Sequence, residues 1–475
     1  MASSPRIPLR EAFLIAALVL AGFAVRIASA QAEFWLDEIW SWEFSRMAAS
    51  PWEIFFTLRH DNNHVLNTLM LALWPPNMSW SLYRMHSVIA GSLAILAAWS
   101  FGRRFGGRTA LLTALLVAAC PWFVWSSAEA RGYAMMVLFL FVAADALWLT
   151  LDGKGRFAPA FWVASVLGVL AHPTFLHASI GFAAWAWCAT AGQPVRQRLR
   201  SLAWSHGPVV IAFAALGLTV FWHRAVGGAP PTPLLAVIAR LLSVGFGGPS
   251  NILLGAPWII AAAAALWLGL AALHRHRTPA LWLFVVSGVC MPLFVVIIQR
   301  PDFLFERYLF AAWALAAVPM AIGIERAVTL LRPARPLLVI AAIMGVIVLG
   351  DAWHIGRFLR DGRGDFVGAA EWILARDPRP AVQVTGNMPM RVEKYVRFYA
   401  PYVAASGRTL VYKAPSKEIV NDIDWLIIER AEGQPLPGPI MRDNVGNAYD
   451  RDWVSPARGL GSWSWAVYRK QVVRP

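Results

Sequence analysis

The chain has 475 residues, of which 58% are hydrophobic, and a mean hydropathy of +0.53; an ordinary soluble globule is about half apolar, so lipid is the expected solvent. Its formal charge of +15 is spread as short basic clusters between apolar runs, a topology signal that excludes a nucleic-acid partner. Cys120, Cys188 and Cys290 all fall inside apolar segments, which excludes both a disulfide framework and a CxxC metal site.

A crossing of roughly 30 Å of hydrocarbon needs about 20 apolar residues. Such runs lie near 11–30, 82–101, 109–126, 133–151, 157–171, 174–191, 204–221, 251–273, 279–298, 308–324 and 336–351. The chain is therefore expected to be a polytopic α-helical membrane protein with about eleven transmembrane helices. The fifth and sixth runs are short and are separated by His172-Pro173. With the N-terminus inside, one set of connections carries Arg6, Arg10, Arg103, Arg104, Arg108, Lys154, Arg156, Arg196, Arg198, Arg200, Arg275, Arg277, Arg326, Arg332 and Arg335. The opposite, longer set carries Arg46, Arg59, Arg131, Arg224, Arg240, Arg300 and Arg307. Basic residues favour the cytoplasmic side, so the N-terminus is expected inside and the loop at 31–81 outside. Ala28-Ser29-Ala30 has the small-x-small form of a signal-peptidase site, but Arg26 interrupts the apolar run beside it, and a retained first helix is expected.

The first outer loop is rich in Trp and Phe yet carries Asp37, Glu38, Glu43, Glu53, His60, Asp61 and His64. Glu43 and Glu53 read as solvated acids on an interfacial helix. Asp37 and Glu38 stand a few residues beyond the first span, inside Phe34-Trp35-Leu36-Asp37-Glu38-Ile39-Trp40, where a carboxylate is costly without a partner or a task. After the last span the composition turns polar from about residue 355, giving a membrane domain over 1–354 and a small exported α/β domain over 355–475. Its pattern reads as helix (365–376), strand (381–385), helix (390–399) and strands at 409–413, 425–429 and 463–468. Asp422-Ile423-Asp424 mimics a nucleotide-sugar metal motif but precedes its strand, and is read as loop.

An Asp-Glu pair just after the first span, followed by an outer loop of about fifty residues, resembles the GT-C superfamily of polyprenyl-phosphate-sugar transferases, among them protein mannosyltransferases and the aminoarabinose and galacturonic acid transferases of lipid A. Three further segments follow the family order. Arg59-His60-Asp61-Asn62-Asn63-His64 resembles its D-x-x-H-P-P-L segment, with Val65-Leu66 in place of the prolines. Ser127-Ala128-Glu129-Ala130-Arg131-Gly132-Tyr133 is similar to the E-x-R-x-Y element of bacterial members, and Glu306-Arg307-Tyr308-Leu309 to the R-Y-L segment. The resemblance implies a bacterial plasma-membrane enzyme with a periplasmic site. Its donor would be a polyprenyl-phosphate-linked sugar and its acceptor a glycan, lipid or protein, with inversion and no covalent sugar-enzyme intermediate.

The residue chemistry leads the same way. Departure of a lipid phosphate leaves extra negative charge, which calls for cations at the leaving oxygens; Arg131, Arg300 and Arg307 stand at the outer boundary, and a guanidinium fork fits phosphate. The attacking hydroxyl needs a general base, assigned to Asp37. Glu38, His60, Asp61, His64, Tyr133, His172 and Tyr308 are expected to hold sugar, acceptor or lipid, with a divalent cation on the His and acid cluster as an alternative role. His177 and Asp145 are expected to be satisfied inside the bundle. A transporter or flippase is the rival class, against which stand the absence of a visible inverted repeat and the outer placement of the ionisable residues.

Overall fold

The computed structural model describes residues 7–222, 224, 232–299, 301–404, 407–414, 423–431, 434–443, 446–455 and 463–471. The chain divides into two compact units, one of Met1–Ala30 with Ser41–Trp353, the other of Gln31–Trp40 with His354–Pro475. The sequence reading placed all of 31–81 in the membrane domain; residues 31–40 belong instead to the C-terminal unit.

The first unit is helical and apolar, as a polytopic membrane protein requires. Among the described residues, eight helices are long and apolar enough to cross a membrane, and a ninth crossing is a pair, Gly107–Ala119 and Pro121–Ser127, bent by 61°. Two of the eleven expected spans are shorter: Ala158–Ala171 and Phe175–Ala189 have 14 and 15 residues, about 21 to 22 Å at 1.5 Å per residue, less than a straight crossing needs. His172 and Pro173 separate them. A further apolar helix, Leu234–Gly245, lies between expected spans seven and eight and was not foreseen.

Small residues set the closest approaches, as packing in lipid demands. Helices Ile252–Arg275 and Phe310–Leu331 pack so that a Cβ on Gly269 would sit 1.8 Å from the Pro319 carbonyl oxygen, and one on Gly323 1.8 Å from that of Ala265. The bend at Pro121 has a specific remedy. Proline has no N–H, so the break frees carbonyls of the preceding turn, which lipid cannot satisfy. Arg26 is fully buried in the first helix. Its guanidinium donates to the carbonyls of Val117 (3.2 Å) and Ala118 (3.3 Å), to Ser127 Oγ (3.1 Å) and to its own Gly22 carbonyl (3.2 Å). One cation thus ties both halves of the bent span to the first helix. Asp145 is likewise satisfied in the bundle, by Arg104 at 2.7 Å and Ser100 at 2.9 Å.

The second unit holds a six-stranded mixed sheet of β1 (Ala381–Gly386), β2 (Thr409–Tyr412), β3 (Trp425–Ala431), β4 (Ile440–Arg442), β5 (Ala448–Val454) and β6 (Trp463–Lys470), in the order β2-β1-β3-β6-β5-β4. β1 runs parallel to β2 and β3, and the rest are antiparallel. A parallel neighbour needs a crossover, and helix Pro389–Val403 between β1 and β2 supplies it. That helix buries Val392, Tyr395, Val396, Tyr399 and Val403, the three- and four-residue spacing of a single apolar stripe. Strands β4 and β5 were not foreseen, and Asp422 of the nucleotide-sugar mimic lies outside the described residues.

Candidate functional site

The 59–64 segment of the first unit is a turn leading into helix Val65–Ala72, with His64 at its N-cap. The prolines of the resembling pattern would fall at the first two helical positions, where proline is tolerated because those N–H groups have no helical partner; Val65 and Leu66 start the same helix without them. Asn63 pins the turn: its amide donates to the carbonyls of Ile54 (2.8 Å) and Leu58 (3.0 Å), and its Oδ1 accepts from Thr68 (2.8 Å). His60 Nδ1 receives the Asn62 N–H (3.1 Å) and lies 2.9 Å from Asp61 Oδ1.

Arg131 comes to this turn from a second one, 128–132, which follows the bent span. Asn67 donates to the Ala130 carbonyl (2.9 Å) and Ser87 to that of Arg131 (3.0 Å), while His86 holds Asn67 Oδ1 at 2.8 Å. Gly132 is required here, since a Cβ would sit 1.8 Å from the Ala171 carbonyl oxygen. The Arg131 side chain is 3% exposed, donates to Asn62 Oδ1 and lies 3.5 Å from Ser41 Oγ and 3.4 Å from His64 Nε2. His64 Nδ1 accepts the Gly132 N–H at 3.2 Å. A neutral imidazole has one acceptor and one donor nitrogen, so Nε2 carries the proton and meets a guanidinium that also only donates. That is a set of donors turned toward one place.

Three aromatic rings complete it. His172 packs edge-on to His64 (4.5 Å between centroids) and against Tyr133 (4.3 Å), with Tyr308 at 6.4 Å. Both histidines lie in connections between helices. Burial, then Arg131, then further cationic neighbours hold each well below the ordinary value of 6.5; Arg224 and Arg307 are among those neighbours for both. Arg307 lies over the Phe305 and Tyr308 rings at 4.3 and 5.6 Å, and the adjacent Glu306 is paired with Arg240 at 2.5 Å.

Arg224 was treated only as a topology marker in the sequence. Its guanidinium lies over Phe221 (4.6 Å) and its Nε donates to Val220 (3.3 Å). Both terminal nitrogens are buried without a hydrogen-bond partner among the described residues, and burial pushes its pKa down to about 10 against the opposing pull of Asp61. Arg300 lies outside the described residues. Asn62 also escaped the sequence reading. The signal for Arg224 was present: it is one of few outer arginines and stands just beyond a span, as Arg131 does.

The structure thus brings together His60, Asp61, His64, Arg131, Tyr133, His172, Arg307 and Tyr308 as parts of one unit. Asp37 and Glu38 belong to the other unit, at the start of helix Leu36–Met47. Asp37 is half-buried and Glu38 fully buried, with its carboxylate accepting the Trp35 N–H at 3.3 Å. No group of three or more His, Cys, Asp and Glu among the described residues could hold a metal ion. His64 spends one nitrogen on a backbone N–H and turns the other toward a guanidinium.

No protein-family model and no curated protein matches the chain. Solved structures do. The crystal structure of ArnT from Cupriavidus metallidurans bound to undecaprenyl phosphate has a TM-score of 0.55 at 11% identity, covering 88% of this chain and 92% of that one. Its apo form gives 0.53 at 12%, with the same coverage. An Archaeoglobus fulgidus oligosaccharyltransferase, in complex with zinc and sulfate, gives 0.51 at 14%, covering 88% of this chain and 68% of that one. With likeness over 88% of its length, the chain shares its fold with ArnT and with this oligosaccharyltransferase.

Proposed function

We propose that the protein is a membrane glycosyltransferase that moves a sugar from a polyprenyl-phosphate donor to an acceptor hydroxyl on the periplasmic face. The observation that carries this reading is the gathering of Arg131, Arg224 and Arg307 about two neutral imidazoles. A lipid phosphate is an anion that gains charge as the reaction proceeds, and guanidiniums gathered about its leaving oxygens stabilise that charge. The fold supports it, because ArnT, which shares this fold, was crystallised with undecaprenyl phosphate. The asymmetry of Lys and Arg between the two sets of loops supports a cytoplasmic N-terminus and an outer position for these arginines.

In the proposed reaction the acceptor oxygen attacks the anomeric carbon while the bond from that carbon to the phosphate oxygen breaks. The electron pair leaves with the phosphate, and the acceptor proton passes to Asp37. Attack opposite the leaving group inverts the anomeric centre. Arg131, Arg224 and Arg307 take the phosphate, together with Arg300 if it follows the resemblance; Tyr308 offers aromatic surface to sugar or lipid, backed by the buried Tyr133 and His172; His60 and Asp61 orient the turn that carries His64, and Glu38 the helix that carries Asp37.

The test is release of polyprenyl phosphate by detergent-purified protein given polyprenyl-phosphate sugars and a crude envelope acceptor. Asp37→Asn is expected to abolish release while leaving donor binding intact. Neither release nor donor binding with any sugar tried would shift the weight to transport.

A further inference from the structure

The C-terminal unit contains a ten-residue piece of the N-terminal region, Gln31–Trp40, in which Glu33, Phe34, Trp35, Leu36 and Trp40 are held by the domain. Glu33 lays its carboxylate on the N-terminus of helix Phe366–Arg376, accepting the N–H groups of Phe366 (3.1 Å) and Val367 (3.3 Å), which have no helical partner of their own. Phe34 stacks on Phe398 with centroids 6.2 Å apart, and its carbonyl accepts the Tyr399 hydroxyl at 2.8 Å. Trp35 lies under the Arg363 guanidinium at 4.6 Å, and Trp40 under Lys394 at 3.9 Å. Phe34, Trp35, Leu36 and Ile39 are all buried.

The contact of greatest consequence is at Leu36. A helix leaves its first N–H groups unsatisfied, and the residue before the first turn usually caps one of them with a side-chain oxygen. Trp35, which precedes helix Leu36–Met47, has no oxygen to offer. The cap is imported: the Leu36 N–H donates to the Tyr395 hydroxyl at 2.9 Å, and the Glu38 carboxylate reaches back to the Trp35 N–H. Tyr395 is itself fixed by a stacked Phe366 at 5.2 Å and an edge-on Trp465 at 5.0 Å. Tyr395 and Tyr399 sit one turn apart on one helix face with parallel rings, so two hydroxyls grip the backbone at Leu36 and Phe34, immediately before Asp37. Asp37 is close enough to act on the Tyr395 phenol electrostatically.

We propose that the C-terminal domain is the positioning element for Asp37, and that Tyr395, by capping the helix on which Asp37 stands, is the residue that sets its direction. This rests on the reading of Asp37 as the general base. Asp37 is the residue after Leu36, so the backbone atoms that carry its side chain begin at the peptide Tyr395 holds. Releasing that peptide lets the first turn fray and the carboxylate wander, and a misplacement of about 1 Å at a reacting group costs up to about a hundredfold in rate. Donor affinity, which depends on cations of the other unit, is unaffected.

The experiment compares full-length wild type, Asp37→Asn, Tyr395→Phe and Tyr449→Phe. Tyr449 is a buried tyrosine of the C-terminal sheet whose hydroxyl is held by the Ile423 carbonyl at 3.1 Å and Asp443 Oδ2 at 3.3 Å; it controls for loss of domain stability. Tyr395→Phe is expected to lower kcat by tenfold to a hundredfold with donor Kd within about twofold of wild type, and to speed amide exchange in the 31–40 peptide. Tyr449→Phe is expected to change neither. An unaltered kcat and unaltered exchange in Tyr395→Phe, or an equal fall of kcat in Tyr449→Phe, overturns the positioning role while a dead Asp37→Asn leaves the transferase reading standing. A wild type without transfer, or an Asp37→Asn variant as fast as wild type, overturns the transferase reading and this role with it.

Discussion

His64 and His172 give the sharpest handle on the cationic cluster, because both are titratable and neither can accept a proton cheaply. Each is buried, and Arg131, Arg224 and Arg307 oppose a further positive charge. Protonating His64 also removes the acceptor of the Gly132 N–H. The folded pKa therefore lies below the unfolded value of 6.5, so the unfolded chain binds more protons at mildly acid pH. Stability contributed by the pair is present above pH 6.5 and is lost as pH falls below it. Between pH 7.5 and 5.5 each imidazole that stays neutral in the fold costs about 1.4 kcal/mol, about 2.7 kcal/mol for both. The assay is the thermal midpoint of the detergent-purified protein across that range, for wild type and His64→Gln. Glutamine keeps an acceptor for Gly132 but cannot titrate, so relative to wild type the variant should gain about 1.4 kcal/mol of stability between pH 7.5 and 5.5, the groups common to both proteins cancelling. A difference between the two midpoints that does not change between pH 7.5 and 5.5 refutes the reasoning.

Two further substitutions probe the scaffold. Asn62→Asp places a carboxylate on Arg131 with no change in shape; at about 6 Å from a bound phosphate and an effective dielectric of about 20 it opposes binding by about 3 kcal/mol. Donor Kd should thus weaken by roughly a hundredfold while the thermal midpoint stays or rises, and a lowered midpoint would instead indicate a damaged turn. Arg26→Met strips the bent span of its donors and should cost about 2 to 3 kcal/mol through the Val117 and Ala118 carbonyls left without partners. Arg26→Lys should not restore the midpoint, because a single ammonium cannot reach Ser127 and both carbonyls as a guanidinium fork does.

What could be read from the sequence follows from what acts locally. The long spans were legible because lipid imposes run length on each helix separately, and β1, β2, β3 and β6 because they carry compact apolar runs. Strand β4 has only three residues, and β5 places Asp450, Arg451 and Asp452 in succession, which breaks the period that marks a strand. Helix Leu234–Gly245 follows a segment rich in Gly and Pro and was taken with the loop. His64, Arg131 and His172 were legible as polar residues at the ends of apolar elements. Tyr395 was not, since its partner Leu36 lies 359 positions away and a tyrosine in an amphipathic helix carries no sign of what it will hold. For the same reason the grouping of residues 31–40 with the C-terminal unit was not legible, since it rests on contacts that no local pattern announces.

The groups of the cluster share one structural origin, which explains why so much positive character can be concentrated there. Arg131 lies in the turn between helices Pro121–Ser127 and Tyr133–Leu151, Arg307 in the 3-10 turn before Phe310–Leu331, and Arg224 just beyond helix Val195–Leu216 and its π-helical extension. His64 and His172 stand at helix boundaries too. At such ends backbone N–H groups lack helical partners, and each histidine takes one: His64 that of Gly132, His172 that of Thr174 at 3.2 Å. Accepting at Nδ1 forces the proton onto Nε2 in a neutral ring, so both imidazoles present donors. Under the proposed function, capping the scaffold and building the anion site are therefore one event. A neutral donor costs far less to bury than a fourth and fifth cation would, and the two rings add hydrogen-bonding capacity without adding repulsion among the three guanidiniums.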